Sequence, residues 1–365
     1  MTDLAPLRYH PDALTPEWFT TVLGEGGHLT DGVVSEARVA PLGTGQVADS
    51  VRIHLRYDGP QHGPETLVAK LAAADPTSRA TATRMGNYAK EVRFYQDLAD
   101  SLDVTVPTLY FADLDATGSD FVLLLADAAP AGQGDQLAGC SIDVAVAAVD
   151  ELVGLHAPRW GDPSLTDLEW LHGDPVAGTA FLLELLPTLW AGFQDRYGDR
   201  YSPTVAQQGA IVIERLEAFL AATRGQDDAV STVTHGDYRL DNLLIHPDLG
   251  TPNPVTVVDW QTVSHGVGVV DLAYFVGAGL VADERADHEE ALVDRYGDGL
   301  AAAGVDLDRA GLWDGYRRGS YSGLLMAISA SMLVERTERG DAMFMTMAER
   351  HAAQAATLEA PDLLV

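Results

Sequence analysis

Three oxygen-bearing side chains occur at a spacing that suits magnesium-dependent phosphoryl transfer. Asp237 and Asn242 lie five positions apart, directly before the apolar segment 243–245, and Asp259 follows a second apolar segment, 257–258. Phosphoryl transfer needs a carboxylate that accepts or orients the proton of the attacking hydroxyl, and oxygen ligands that hold Mg²⁺ against the phosphates. Asp237 fits the first requirement, and Asn242 and Asp259 fit the second.

These three residues also have an ordinary structural explanation. Asp237 and Asn242 could form a turn closed by side-chain hydrogen bonds, and Asp259 could cap a loop at the end of a strand. The two apolar segments and the turn-rich stretch 246–250 nevertheless predict a hairpin. Such a hairpin would bring Asn242 and Asp259 to the same end, within reach of one metal ion.

Lys70 is one of only two lysines in the chain, and it lies in the apolar segment 67–71. A buried ammonium group is costly without a counter-charge. Lys70 could contact nucleotide phosphates while Glu91, on a predicted helix, holds it in place, or it could lie in an edge strand and reach solvent. The functional explanation is favoured.

Gly43 and Gly45 lie in a turn between two predicted strands. A glycine-containing turn of this kind can fold over nucleotide phosphates. Taken alone, an ordinary hairpin turn explains it better.

The elements that must position these residues follow from hydrophobic periodicity. Strands are predicted over 33–40, 51–57, 67–71, 109–114 and 121–125, and helices over 15–25 and 77–99. Further helices are predicted over 142–157, 176–196, 204–223, 286–303, 309–334 and 339–357, interrupted only by a β-like block at 233–258. This order predicts an α+β fold with a β-rich N-terminal part, 1–125, and a mainly helical C-terminal part, 126–365.

Composition narrows the possible partners. The chain has 23 basic and 54 acidic residues, a net charge of -31, which opposes binding to nucleic acid or to anionic membranes. A single cysteine, Cys140, excludes an internal disulfide, and no long uncharged apolar segment or basic leader is present. We therefore expect a soluble cytoplasmic protein, a monomer or homodimer, that acts on a small molecule.

Together these motifs resemble the aminoglycoside phosphotransferase and choline kinase superfamily, whose members have a two-lobed, protein-kinase-like fold. The resemblance is greatest to the ecdysteroid-kinase-like bacterial phosphotransferases. The segments that carry it are 42–45, 68–70, 91–95, 235–242, 258–261 and 271–274. The block 235–242 joined to Asp259 is the specific part of the resemblance, and the glycine turn is the weak part.

The resemblance implies a role for each candidate residue, with ATP and Mg²⁺ as nucleotide and metal. Asp237 would be the catalytic base or hydroxyl-orienting residue, and Asn242 and Asp259 would bind Mg²⁺. His235 and Asp271 would brace the catalytic loops. The nucleotide-binding positions would be Gly43, Gly45, Lys70, Glu91 and a hinge whose backbone meets adenine, Leu124, Leu125, Ala126 and Asp127.

The implied activity is an ATP-dependent kinase that phosphorylates a hydroxyl of a metabolite or hydrophobic alcohol. An aminoglycoside-type antibiotic phosphotransferase is an alternative, for which the acidic cluster at 283–290 would suit a cationic acceptor. A hydroxyacyl-CoA kinase is another, with Arg317 and Arg318 as candidates to bind the phosphates of the acceptor. A nucleotide-binding pseudokinase is an alternative from a different functional class.

Overall fold

The structure, a computed structural model, describes residues 7–42, 47–59, 63–172, 175–223 and 231–364. The chain forms two compact units. The first unit comprises Met1–Asp100, Val106–Ala129 and Asp259–Gln261. The second unit comprises Ser101–Thr105, Pro130–Val258 and Thr262–Val365. Asp259 therefore groups with N-terminal residues although it lies far along the sequence.

The first unit is built on an antiparallel sheet. Its strands are β1 (Val33–Pro41), β2 (Ala48–Asp58), β3 (Thr66–Ala72), β4 (Leu109–Leu114) and β5 (Phe121–Ala126), in the order β1-β2-β3-β5-β4. Helix α1 (Pro16–Glu25) begins at Thr15, whose side chain accepts a hydrogen bond from the backbone N–H of Trp18. The core of the unit includes Ile53 and Leu67, both fully buried.

The helical structure predicted over 77–99 is present, but the segment is divided. Helix α2 (Pro76–Met85) ends at Gly86, whose φ of 72° is a left-handed conformation that glycine adopts without strain. Helix α3 (Asn87–Arg93) follows and continues into a π-helical turn, Phe94–Leu98. Such turns are rare and occur often at functional sites.

Helices make up most of the second unit. They are α4 (Ile142–His156), α5 (Glu169–His172), α6 (Pro175–Tyr197), α7 (Pro203–Glu214), α8 (Leu216–Thr223), α9 (Val269–Gly279), α10 (Ala282–Ala302), α11 (Arg309–Leu333) and α12 (Glu338–Thr357). The predicted helix 204–223 is divided at Arg215. The sequence predicts no helix between the β-like block at 233–258 and the helix at 286–303. Helix α9 lies there and contradicts that expectation.

Short strands flank the segment 235–242 of the second unit. They are β6 (Gly132–Gln133), β7 (Ser231–Thr234), β8 (Leu243–Ile245), β9 (Val255–Val257) and β10 (Ser264–Val267), which pair as β6-β8-β9 and β10-β7. Strands β8 and β9 are antiparallel, with Leu243 opposite Val257, so the predicted hairpin is confirmed. The backbone N–H of Val258 donates to the carbonyl oxygen of Asn242 at 3.0 Å.

The core of the second unit lies among α6, α7, α8, α11 and α12. Phe193, Val205 and Tyr321 are fully buried within it. Across the described ranges, no helix is long and apolar enough to span a membrane. The predicted α+β class, with β structure first and helices after it, is confirmed.

Candidate active site

Lys70 lies on an interior strand of the first unit. Its backbone is opposite Ser50 of β2 and Leu123 of β5, which excludes the edge-strand explanation. Its Nζ is 2.8 Å from Oε1 of Glu91 and 2.8 Å from Oδ1 of Asp259. Two carboxylates therefore hold one ammonium group, and the predicted contact with Glu91 is confirmed.

The two carboxylates differ in their access to solvent. The side chain of Glu91 is 1% exposed, whereas that of Asp259 is 39% exposed. Oε1 of Glu91 also accepts a hydrogen bond from the backbone N–H of Trp260 at 3.3 Å. The indole of Trp260 stacks on Phe94, with ring centroids 3.7 Å apart and an interplanar angle of 7°. Glu91 is thus an internal anchor, while Asp259 can be reached by a ligand.

The charges around Lys70 favour its protonated form. Burial disfavours the ammonium, but the negative charges of Asp259 and Glu91 outweigh burial and raise the pKa of Lys70 above its usual value. Burial raises the pKa of Glu91, so the solvated carboxylate of Asp259 is the main negative charge that a ligand can reach. The arrangement can therefore accept a cation at the accessible carboxylate of Asp259.

The four predicted hinge residues lie at the end of β5. Leu124 and Leu125 are buried, and their strand pairs with β3 on one side and β4 on the other. Ala126 ends the strand. The carboxylate of Asp127 is ion-paired with Arg52, with Oδ2 2.8 Å from Nε. These side chains serve the sheet and core of the first unit, and contact with a nucleotide stays a prediction.

The segment 43–46, where the turn with Gly43 and Gly45 is predicted, lies outside the described residues. It connects β1 and β2, which pair up to Pro41 opposite Val51. Its role in binding phosphates stays a prediction.

Asp237 lies in the loop between β7 and β8 of the second unit, and three side chains donate hydrogen bonds to its carboxylate. The hydroxyl of Tyr274 donates to Oδ1 at 2.6 Å. Nδ2 of Asn242 donates to Oδ2 at 2.9 Å, and Nε of Arg239 lies 3.1 Å from both oxygens. The carboxylate is therefore held in a defined orientation.

The backbone of this loop is fixed by Asp271, near the start of α9. Its two carboxylate oxygens accept hydrogen bonds from the backbone N–H groups of His235 at 2.6 Å and Gly236 at 3.0 Å. Gly236 has a φ of 79°, and a Cβ there would lie 2.7 Å from the carbonyl oxygen of Thr262. The ring of His235 contacts the carbonyl oxygen of Val258 through Nε2 at 3.0 Å. The expected bracing by His235 and Asp271 is present.

Arg239 forms a partly buried charge cluster beside Asp237. Its Nη1 is 2.7 Å from Oδ2 of Asp241, whose Oδ1 accepts from the backbone N–H of Gln136 at 3.1 Å. Burial disfavours the guanidinium, but the charges of Asp237 and Asp241 together with the neighbouring Tyr274 outweigh burial and raise the pKa of Arg239 above its usual value. Arg239 is thus a permanent positive charge at the carboxylate.

The ligand types for a magnesium ion are present in each unit. Nδ2 of Asn242 donates to the carbonyl oxygen and to Oδ2 of Asp237, so the amide oxygen is directed away from that residue. Asp259 offers a carboxylate. Within the described ranges no three His, Cys, Asp or Glu side chains form a metal-binding group. An amide and a carboxylate suit Mg²⁺, which usually takes one or two protein carboxylates and completes its shell with water and phosphate oxygens.

A family model decides the class of protein to which this geometry belongs. The model of the phosphotransferase enzyme family, APH, matches residues 51–313. The chain belongs to this family. The predicted resemblance to the superfamily and the prediction of a phosphotransferase are thereby confirmed, while the ecdysteroid-kinase-like branch stays a prediction.

Solved structures with the same fold include three kinases of small molecules. The microcompartment-associated aminopropanol kinase has a TM-score of 0.55 at 16% identity, over 95% of this chain and 99% of that one. The Plasmodium vivax ethanolamine kinase has a TM-score of 0.53 at 9% identity, over 87% and 82%. The GDP complex of aminoglycoside 2'-phosphotransferase-IIIa has a TM-score of 0.50 at 13% identity, over 92% and 97%. No curated protein matches the sequence. At these identities the structures show a common fold.

Two residues of this phosphotransferase contact Asp237 without a role having been predicted for them. Arg239 stands two positions after Asp237 and two before Asp241, an alternation of charges that signals a local ion-pair cluster. Tyr274 lies three positions after Asp271, so the two share a helix face. That signal is readable only once α9 is recognised as a helix.

Proposed function

We propose that this phosphotransferase is an ATP-dependent small-molecule kinase that transfers the γ-phosphate to a hydroxyl group. The observation that carries the proposal is the ammonium of Lys70, held 2.8 Å from both Glu91 and Asp259. A lysine kept charged by an internal glutamate is suited to binding nucleotide phosphates. The family to which the chain belongs supports the same chemistry.

In this proposal different parts of the chain bind the nucleotide and the acceptor. Residues 1–125 bind the nucleotide, with Lys70 at its phosphates. Residues 126–365 bind the acceptor, and Asp237 orients the acceptor hydroxyl towards the phosphorus. Asn242 and Asp259 hold Mg²⁺, which offsets the negative charge of the phosphates when it is bound.

The acceptor in this proposal is a metabolite hydroxyl or a hydrophobic alcohol. Aminopropanol, ethanolamine and aminoglycoside are the compounds named for structures of the same fold. They set the first members of an acceptor panel, to which hydrophobic alcohols and hydroxyacyl thioesters are added. The side chain of Asp237 stays 19% exposed beside Tyr274 and Arg239, which is enough for a hydroxyl to approach it.

The test is to incubate the protein with Mg²⁺ and either ATP or GTP in the presence of each acceptor, and to detect the phosphorylated acceptor by mass spectrometry. We expect transfer from ATP that requires Mg²⁺. Replacement of Asp237 by alanine is expected to reduce turnover by about 10²-fold or more while leaving nucleotide affinity largely intact. The matched control is Asp195→Ala, which removes an exposed carboxylate from α6.

Two results would contradict the proposal. Retained turnover in Asp237→Ala would remove Asp237 from the mechanism. Nucleotide binding without transfer to any acceptor, and without hydrolysis, would instead support a nucleotide-binding pseudokinase.

A further inference from the structure

The hydroxyl of Tyr274 makes the shortest of the hydrogen bonds to the Asp237 side chain. It donates to Oδ1 at 2.6 Å, whereas the contacts of Asn242 and Arg239 are 2.9 and 3.1 Å. Tyr274 is 3% exposed. Burial and the charge of Asp237 hold the pKa of Tyr274 well above its usual value, so the hydroxyl keeps its proton and acts as a donor.

The other donors do not fix Oδ1 by themselves. Asn242 donates to Oδ2, and Nε of Arg239 is shared equally between the two oxygens. Tyr274 is therefore the donor that binds Oδ1 alone, as Asn242 binds Oδ2 alone. Without it, rotation of the carboxylate would be opposed mainly by the bond from Asn242.

Tyr274 is itself fixed by the helices around it. It lies on α9 three positions after Asp271, which binds the backbone of the same loop at His235 and Gly236. One face of α9 therefore holds both the backbone and the side chain of the catalytic loop.

The opposite side of the Tyr274 ring is packed against α12. The rings of Tyr274 and His351 stack with centroids 5.5 Å apart and an interplanar angle of 28°. His351 is fully buried, and glycines at positions 277 and 323 leave the space that its ring occupies. The ring of Tyr274 is thus held between its own helix, α9, and His351 of α12.

We propose that Tyr274 is a positioning residue that acts through Asp237, by holding its carboxylate in the orientation that receives the acceptor hydroxyl. The inference rests on the proposed function, because it assumes that Asp237 orients the acceptor. Small errors in the position of a reacting group reduce rates strongly, so one donor at this carboxylate has a measurable effect.

Basal hydrolysis of ATP tests the inference without an identified acceptor, because water then takes the place of the acceptor hydroxyl. The variants are Tyr274→Phe, Asp237→Ala and the double variant, each measured with Mg²⁺ and ATP. Tyr274→Phe keeps the ring and its stack on His351. We expect its rate to fall about tenfold, the effect of one hydrogen bond to a charged group, with unchanged affinity for ATP.

The matched control is Tyr321→Phe, which also removes a fully buried tyrosine hydroxyl that donates at 2.6 Å, here to Oε1 of Gln208. We expect Tyr321→Phe to keep the wild-type rate. Thermal unfolding of each variant shows whether a lost rate reflects a lost fold.

A double-mutant cycle separates positioning from a general structural effect. If Tyr274 acts through Asp237, the double variant has the residual rate of Asp237→Ala alone. A full rate in Tyr274→Phe, or a further loss in the double variant, would overturn the inference while Asp237→Ala still supports the proposed function. Wild-type protein that neither hydrolyses ATP nor transfers its phosphate to any acceptor of the panel, or Asp237→Ala with full turnover, would overturn the proposed function and this inference with it.

Discussion

At the scale of single residues, Lys70 is held by two carboxylates of unequal burial. Its side chain is 12% exposed, between Glu91 at 1% and Asp259 at 39%. Removing one partner of a buried ion pair is destabilising because the other charge stays buried without compensation. The cost of losing Lys70 therefore falls mainly on Glu91, because Asp259 can still be solvated.

Replacement of Lys70 by methionine is expected to weaken nucleotide binding strongly and to lower the free energy of unfolding by about 3 kcal/mol. Methionine keeps the length of the side chain and removes the charge. Isothermal titration calorimetry with ATP and Mg²⁺ measures the first effect, and urea denaturation measures the second.

The control for this substitution is Lys90→Met, which removes the only other lysine of the chain, one position before Glu91. It changes the net charge equally, and we expect it to retain nucleotide binding. Equal nucleotide affinity in Lys70→Met and wild type would show that Lys70 does not bind phosphates.

A contact can be predicted from the sequence when the residue type requires a partner. A lysine in an apolar strand needs an acidic partner, so the sequence predicts the contact of Lys70 with Glu91, and the structure contains it. A tyrosine in an apolar segment does not indicate a specific partner, because its ring can pack against many kinds of side chain. The bond from Tyr274 to Asp237 follows from helix packing, which the sequence does not display.

At the scale of elements, whether a strand or helix can be predicted from the sequence depends on the contrast between its buried and exposed positions. Strand β5 is recognisable because a short apolar run is bounded by polar turns. Helix α9 is buried from Val269 to Gly279 at every position except Val270, so it has no polar face and no helical period. The helix that holds the loop around Asp237 is thus one that hydrophobic periodicity does not reveal.

The packing of α11 against α12 depends on the absence of a side chain at Gly323. A Cβ there would collide with the ring of His351, which is fully buried and has no room to move. Gly323→Ala is expected to lower the free energy of unfolding by about 1–3 kcal/mol, the cost of overpacking a core. Urea denaturation measures this change.

Gly24→Ala is the control, because Gly24 lies in the last turn of α1 and an added Cβ there meets no atom of a packed neighbour within 4 Å. Alanine favours a helix interior over glycine, so this variant is expected to gain about 0.5–1 kcal/mol. If the two variants had the same stability, the close packing around His351 would not contribute to the fold.

At the scale of the whole molecule, the acid titration of the chain is dominated by its surface. The chain has 54 acidic residues and a net charge of -31 at pH 7, so many carboxylates are protonated as the pH falls. The contribution of one buried group is visible only as a difference between two proteins that share the same surface. A variant that differs from wild type at one buried histidine provides this comparison.

His351 is that histidine, and it makes folding less favourable in acid. Burial lowers its pKa from 6.5 to about 4, so between these values the unfolded chain binds a proton that the folded chain does not. This contribution to the free energy of unfolding is fully present above pH 6.5 and is lost as the pH falls through about 4, at about 1.4 kcal/mol per pH unit.

In His351→Gln this pH dependence is absent, while the amide can still bond to Gln354 as Nδ1 of His351 does at 3.3 Å. We therefore expect urea denaturation between pH 7 and pH 4 to show the stability advantage of wild type over His351→Gln shrinking by about 3 kcal/mol. Parallel stability curves for the two proteins would mean that His351 titrates alike in the folded and unfolded chains.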